Sequence, residues 1–580
     1  MSLDFIKRAI GVSPKVWTTT TATVQQQMAA RLANETEVRV FVDDTPNFGN
    51  QACSVLLLNR LIDTYGFTGQ GKTLTVVYPA QGAAATLNKL ALLIRGLDPA
   101  NPGIANYRNS GVNLAFRQIP ALANQPQINY GFSGGADSDP ARTGLNWFAV
   151  ALKVELFLRL HPYQWNGGPH QVQYGGQRAQ RQPYDLATYS ALGTSFRYRG
   201  WHIPNADWAA PSAPDWAYYT GDVNIPPDQR HRAALAEALL AYLAANAGTL
   251  KLMVVYGIKA SPNQMGMPSP QLLPTVVATA LGISHLDPAQ TPVVVVSLNS
   301  DITDADYALS LRVCQGGQTA DEELQHNLVQ DAQADVDALE QQLQQGGVGG
   351  DVEQQLADAR QHLAGQTAHR QLLDRGQAER QNWLNQRNPQ GIQFVSSRAR
   401  GNQQGITVAQ LNADLVALAG PATQRPAVLF FELGSLPIPV FNHLMSQASY
   451  ANVFEGANTN NLALNQGNGY LRMRGGGIDG VRYPTGWFPA WTGGYSQAAV
   501  EGTNAANGVT AALRQNIFDK TDFLPNIALT TDYLDRLYLR QETLLTRYYH
   551  DTQAYFHDPA NDKLLLGLSY LNQIATDIGI

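Results

Sequence analysis

Twice along this chain a short run of β-branched and aliphatic residues leads through an amphipathic stretch of helical length into a second short apolar run. EVRVFV, from Glu37 to Val42, passes through the polar loop DDTPNFGN into ACSVLLLNRLIDTYG and then to TLTVVY, which Pro79 ends. From Leu250 the order restarts with LKLMVVYGI, QLLPTVVATALGI and TPVVVVSLN. Strand, helix, strand in that order folds as a parallel pair with the helix on one face. Runs as continuously apolar as PVVVVSL belong to strands covered on both faces. The pattern predicts an α/β protein built from two Rossmann-like units.

The second unit is interrupted. After Cys314 the composition changes to DEELQHNLVQDAQADVDALEQQLQQ, then GGVGG, then a long Gln- and Arg-rich stretch. Leu324, Leu328, Val336, Leu339 and Leu343 keep three- and four-residue spacing before the glycines, and Val352, Leu356 and Leu363 continue it after them. That spacing predicts an antiparallel helical hairpin over 318–390, inserted into the second sheet. GIQFVSS and AVLFFELGSL then read as strands around the helix TVAQLNADLVALAG. Two helices from Asp519 onward close the chain. The expected division is an acceptor-side unit over 1–245, a donor-binding unit over 246–317 plus 391–510, the hairpin, and C-terminal helices over 511–580. The region from about 100 to 235 reads as loop-rich, with helices near 145–160 and 230–246.

Only 15% of the 580 residues are charged, against about 25% in an ordinary soluble chain. The formal charge of -6 provides no field to gather nucleic acid or acidic lipid. Cys53 and Cys314 stand far apart in apolar stretches and read as buried free thiols. No apolar run approaches the ~18 residues of a membrane span, and the opening MSLDFIKRAIGVSPK lacks a secretory h-region. The expected compartment is the cytoplasm.

Three segments bear on chemistry. Gly66 to Thr73, GFTGQGKT, matches the phosphate-binding P-loop letter for letter, but a helix precedes it and a strand follows, the reverse of what a phosphate cradle needs. It reads as a helix stop and a turn. The loop from Asp43 to Gln51 has the right context, leaving a strand's carboxyl end and opening a helix. Asp43 or Asp44 there would serve as a general base, while Gly49 lets backbone amides approach a bound oxygen. Asp44 as a simple turn cap is the alternative. The third segment, YANVFEGANTNNLALNQGNGYLRM from Tyr450 to Met473, puts a helix start near Asn458 or Thr459 after a strand end, where helix amides suit a diphosphate. Arg472 and Arg474 offer cationic partners for it. His161 and His170 lack zinc-like spacing. The aromatics Tyr198, Trp201, Trp208, Trp216, Tyr218 and Tyr219 suit either a sugar face or a core. The glycine-rich run from Arg474 to Gly494 reads as a cleft-side loop.

The strand-VDxxxNFGN-helix pattern, together with VFEGANTxxLALxxGxxYLR, resembles the two signature regions of GT-B glycosyltransferases, nearest to the arginine rhamnosyltransferases that modify elongation factor P. The resemblance covers about 45 of the 580 residues. It implies metal-independent, inverting transfer from a nucleotide-sugar, bound as substrate with no separate cofactor. Asn47, Phe48, Gly49 and Asn50 fall on the family's first loop, and Gly456, Asn458 and Thr459 on its second. Asp43 matches the aspartate preceding the first loop. The implied donor set is Asn47, Gly49, Asn50, Glu455, Gly456, Asn458, Thr459 and Arg472, with Asp43 and Asp44 catalytic. The family's first loop ends in aspartate where this chain has Asn50, and its Glu-Asp pair is Ala457-Asn458 here, leaving Glu455 as the nearby carboxylate. These departures open a second expectation, a non-catalytic interaction or self-assembling protein on the same scaffold. The hairpin would serve either reading, by docking a protein acceptor or by pairing copies of the chain.

Overall fold

The structure is a computed structural model. It describes residues 21–44, 48–134, 147–160, 171–175, 213–223, 225–256, 269–298, 303–345, 350–387, 390–401, 404–454, 462, 466–473, 517–518, 523–543, 545–546, 549–550, 553 and 563–580.

The fold is α/β with two mostly parallel sheets. The first holds β1 (Glu37–Phe41), β2 (Thr73–Tyr78), β3 (Gly103–Tyr107), β4 (Val112–Gln118), β5 (Ile128–Ser133), β6 (Val154–Arg159) and β7 (Gln171–Tyr174), in the order β3-β4-β2-β1-β5-β6-β7. Its central strands are parallel, and antiparallel partners close both edges. The second holds β8 (Lys251–Val255), β9 (Val293–Ser297), β10 (Gln393–Ser396), β11 (Val428–Glu432), β12 (Asn452–Phe454), β13 (Tyr470–Met473) and β14 (Ile517–Phe518), in the order β10-β11-β9-β8-β12-β13-β14. Its pairs are all parallel. Counted from its own first strand, each sheet reads 3-4-2-1-5-6-7. The chain thus builds outward from the first strand on one side and returns to the other, so the direction reverses between β1 and β5 and again between β8 and β12.

Around the first sheet lie α1 (Thr21–Ala33), α2 (Phe48–Asp63), α3 (Ala83–Leu93) and α4 (Trp147–Ala151), followed by α5 (Trp216–Gly221) and α6 (Pro227–Ala245). The second half adds α7 (Ser269–Leu286), α8 (Asp304–Cys314), α9 (Ala320–Gln344), α10 (Gly350–Arg387), α11 (Val408–Leu418), α12 (Ile438–Ser446), α13 (Phe523–Leu534) and α14 (Lys563–Ile578). Two helices pack away from their sequence neighbours. α6 lies on α11 and α12 of the second half, where Arg232 donates to the Ser435 carbonyl (3.3 Å) and hydroxyl (3.2 Å). α14 lies on α1 and β6 of the first half: Arg31 donates to Thr576 Oγ1 (2.7 Å) and to the carbonyls of Asn572 and Ile580. One continuous cluster of buried apolar side chains includes strands of both sheets, with Val38 and Val40 at one end and Val254 and Val294 at the other.

A buried cation holds the amino end of the first sheet. Arg39 in β1 is fully covered, and its guanidinium donates to the carbonyls of Leu152 (2.7 Å), Lys153 (3.1 Å) and Pro126 (3.0 Å) while pairing with Glu37 (3.0 Å). A charge in that setting persists only because each donor finds an acceptor.

The stretch expected to be helical over 145–160 is the single turn α4 followed by β6. VELFLR is buried almost throughout, which suits a central strand, and pairing with β5 overrides its helix-compatible spacing. β3 to β5 also fall in the region expected to be loop-rich. GIANY is largely exposed, so that edge strand carries no apolar run to announce it.

α9 and α10 touch along opposed directions. Glu340 meets Arg360 near the glycine break, Gln325 meets Gln366 farther back, and Glu322 meets Arg380 at the base. The covered stripe on α10 runs through 352, 356, 359, 363, 366, 370, 373, 377, 380 and 384, in alternating steps of four and three. Its counterpart on α9 is Glu322, Gln325, Val329, Ala332, Val336 and Leu339. Leu324 and Leu328, expected on that stripe, stand outside it and are 57% and 37% exposed. The phase is fixed at the base: Thr319 and Glu322 form a reciprocal cap, and the capping carboxylate also receives Arg380 at 2.8 and 3.0 Å. Arg380→Ala leaves Glu322 charged and covered and should destabilise by roughly 3–5 kcal/mol, whereas Glu322→Leu with Arg380→Leu should be close to neutral. Denaturant midpoints of the two variants check this.

Candidate functional site

Ligands of open parallel sheets bind beyond the strands' carboxyl ends where the winding reverses. In the first sheet that place is the end of β1 beside β5. Val42 continues the ladder by donating to the Val77 carbonyl (2.8 Å), and the chain then leaves the sheet at Asp43 and Asp44. Asp43 is 2% exposed, and its Oδ1 accepts the Asp44 amide at 3.0 Å, which tightens the turn. Gln51, covered in the first turns of α2, donates its side-chain amide to the Asp43 carbonyl at 2.7 Å. Ser54 donates to the Phe41 carbonyl (3.1 Å). The loop is therefore tied back to the helix that follows it.

Asp44 is half-buried and faces the start of α3, its Oδ2 3.7 Å from where a Cβ on Gly82 would stand. Burial lowers the pKa of Lys89 on α3, and the Asp44 carboxylate partly offsets that. β5 reaches the same place from the other side. Gly134 follows it, and a Cβ there would come 2.3 Å from the Cys53 carbonyl oxygen of α2. Strand end and helix are thus in backbone contact, and any side chain larger than hydrogen would push α2 and its loop away.

One strand further out, Arg159 ends β6 in register with Ser133. It is 6% exposed and its guanidinium lies 5.2 Å from the centre of the Phe148 ring. The sequence reading missed this buried cation at the carboxyl edge because 145–160 reads as helix. Its signal was an arginine closing an otherwise apolar VELFLR.

In the second sheet the corresponding place is the end of β8 beside β12. Tyr256 donates its amide to the Val453 carbonyl (2.8 Å) and sets its ring edge-on to Phe441, 5.1 Å between centres. Glu455, Gly456, Asn458 and Thr459 come directly after β12 in sequence and lie outside the described residues, as do Asn47, Arg474, His161, His170, Tyr198, Trp201, Trp208 and the run to Gly494. Gly49 and Asn50 are in the first turn of α2. Arg472 is in β13 and pairs in register with Phe454, so its backbone sits beside the last residue of β12.

A carboxylate that the sequence reading passed over stands at the carboxyl end of β11. Glu432 is 1% exposed and receives Ser396 Oγ (2.8 Å), Arg398 Nη2 (2.8 Å) and Nε (3.2 Å), and Arg400 through Nε (2.9 Å) and Nη2. Arg400 also pairs with Asp304 (2.6 Å) and lies over the Tyr307 ring. β9 and β8 separate this clasp from the reversal point. With both oxygens filled it joins β10, β11 and α8 rather than awaiting a ligand.

The P-loop look-alike resolves as expected from its context, between α2 and β2. Gly66 takes φ +65° at the helix end, and Lys72 donates to the carbonyls of Leu32 (3.0 Å) and Ala33 (2.9 Å), closing the end of α1. Burial lowers the Lys72 pKa, with Glu35 opposing. Among the aromatics, Trp216 packs edge-on against His443 of α12 at 6.1 Å, and Tyr219 contacts the main core, its hydroxyl pKa pushed up to about 12 by burial. Cys53 and Cys314 are both buried and neither is in a disulfide. Among the described residues, no three or more His, Cys, Asp or Glu side chains gather closely enough to hold a metal ion, and no helix is long and apolar enough to cross a membrane. No protein-family model matches the chain, and neither does any curated protein.

Two outcomes follow. Gly134→Ala should destabilise by roughly 3 kcal/mol, the upper end for overpacking, while Gly365→Ala, with nothing within 4 Å of its would-be Cβ, should stabilise by about 1 kcal/mol. Urea midpoints separate them. The hydrogen bond from Arg400 holds the Asp304 carboxyl below its ordinary pKa. A group lowered by folding contributes stability above its unfolded pKa of about 4 and loses it as pH falls through the folded value. The melting temperature should therefore drop more steeply below about pH 4 in the native chain than in Asp304→Asn.

Proposed function

We propose that this protein is a metal-independent, inverting glycosyltransferase of GT-B type that moves a sugar from a nucleotide-sugar to an acceptor nucleophile. One observation carries the reading: the two sequence segments with the chemistry for it each follow a strand flanking the winding reversal of its sheet, β1 in the first and β12 in the second. Two unrelated loops would not be expected to coincide with those two positions. The loop ties described above support a division of labour. Asp44, the less covered carboxylate, is the base, and Asp43 holds the turn. The acceptor's oxygen or nitrogen attacks the anomeric carbon, the bond from that carbon to the diphosphate oxygen breaks, and Asp44 takes the acceptor's proton. Asn458, Thr459 and the amides of the helix start receive the departing diphosphate, with Arg472 as its cationic partner.

A ligand that binds only the folded chain raises its melting temperature. One class of nucleoside diphosphate should raise it by several degrees, and Asn458→Ala should abolish that shift. Asp44→Asn should keep the shift and lose transfer by at least 100-fold, in line with the loss of a general base. A cooperative melt unmoved by any nucleoside diphosphate or nucleotide-sugar would overturn the proposal. It would favour the second reading, an interaction protein on the same scaffold, for which the exposed leucines of the two long helices speak.

A further inference from the structure

The paired helices α9 and α10 carry nearly all of the chain's charge asymmetry. Residues 318–390 hold 12 of its 46 acidic and 5 of its 40 basic residues, leaving this segment at -7 and the remainder at +1. From 320 to 358 there is no Lys or Arg at all.

The covered stripes fix how that charge is distributed around the pair. With the stripe residues at heptad positions a and d, Glu340 and Arg360 both occupy position e, and their ion pair (2.8 Å) closes one edge of the pair. The opposite edge belongs to the g positions and, beside them, the c positions. On α9 these include Leu324, Leu328, Asp331 and Asp335, all exposed. On α10 they include Leu372, 65% exposed. Between 324 and 376 neither helix places a cation on this edge. Arg370 sits on the stripe and turns toward Asp374 on the other side, 3.5 Å away.

On α10 the same edge carries a shallow hollow. Asp358, His362, Gly365 and His369 line it with Gln361 and Gln366. Gly365 and Gly376, both on this edge, have nothing within 4 Å of a would-be Cβ, so no packing among the described residues accounts for them. Each costs a helix interior about 1 kcal/mol relative to alanine, and each lets another backbone come close.

We propose that this edge is a docking surface for a positively charged amphipathic helix of another protein, with the leucines meeting its apolar face and Asp331, Asp335 and Asp358 its cations. A second copy of the chain is disfavoured as occupant because it would bring another segment of charge -7 against the first. The proposal does not depend on the transferase reading, since none of its residues lies at the strand ends.

The test uses the full-length protein and three labelled 18-residue peptides followed by fluorescence anisotropy. One is an amphipathic Leu/Lys helix, the second the same composition scrambled so that no apolar face forms, and the third the helix with Glu for Lys. The first should bind one to one and at least tenfold more tightly than the other two. Leu324→Ser with Leu372→Ser, and separately Asp331→Asn with Asp335→Asn, should each weaken it at least tenfold. Asp337→Asn with Glu353→Gln, the same loss of two charges away from this edge, should not. All these positions are exposed, so helix content by circular dichroism should stay constant. Equal binding of the scrambled peptide, equal sensitivity to Asp337→Asn with Glu353→Gln, or no binding of the first peptide would overturn the proposal. So would a dimer by light scattering that Leu372→Ser dissociates, which would give the surface to a second copy.

Discussion

A parallel strand covered on both faces meets its hydrogen-bonding needs sideways, through its neighbours, and so leaves only its ends for polar chemistry. The buried charges described for the two sheets sit toward such ends. Arg39 ties the amino side of the first sheet to the carbonyls of Leu152, Lys153 and Pro126. At the carboxyl side stand Asp43, Arg159 and Glu432, each almost completely covered and each at the end of a different strand. What distinguishes them is their distance from the winding reversal. Asp43 is beside it, Arg159 is one strand out, and Glu432 is far enough away that its partners can fill both oxygens without blocking a crevice.

The shared strand order makes the two halves comparable position by position. β1 and β8 are the innermost strands, and β5 and β12 receive the chain when it returns. The halves differ where the chain had room to differ. The edges of the first sheet are antiparallel pairs, while the second sheet spends its second crossover on α8, α9 and α10 before reaching β10. That excursion stays attached through the Glu322 to Arg380 pair at its base, which sets the rotation of both helices and hence which residues face outward.

Local order in the sequence was enough to place the Asp43–Asp44 loop, because strand, loop and helix follow one another without interruption. The same local logic rejected the GFTGQGKT look-alike, whose lysine closes α1 instead. What the sequence hid depends on distant partners. Arg398 and Arg400 reach Glu432 from more than thirty positions away, across α11, and nothing in AVLFFELG marks its carboxylate as the centre of a clasp. The stripe on α9 was misjudged at Leu324 and Leu328 because its phase is set by an arginine 58 positions later. β6 was hidden by an apolar spacing that serves a helix equally well until β5 offers its edge.

α14 packs against the first sheet, with Gly567 so close to Leu158 that a Cβ would come within 3.0 Å of both its methyl groups. The strand is made about 400 residues before its cover. On a ribosome adding about 5–20 residues per second, β6 waits for some tens of seconds before α14 emerges, and through that interval Leu158 and Leu160 have no permanent shelter. The nascent chain therefore presents part of an apolar sheet face to its surroundings through that interval, and a chaperone that shields apolar strands has its natural window there.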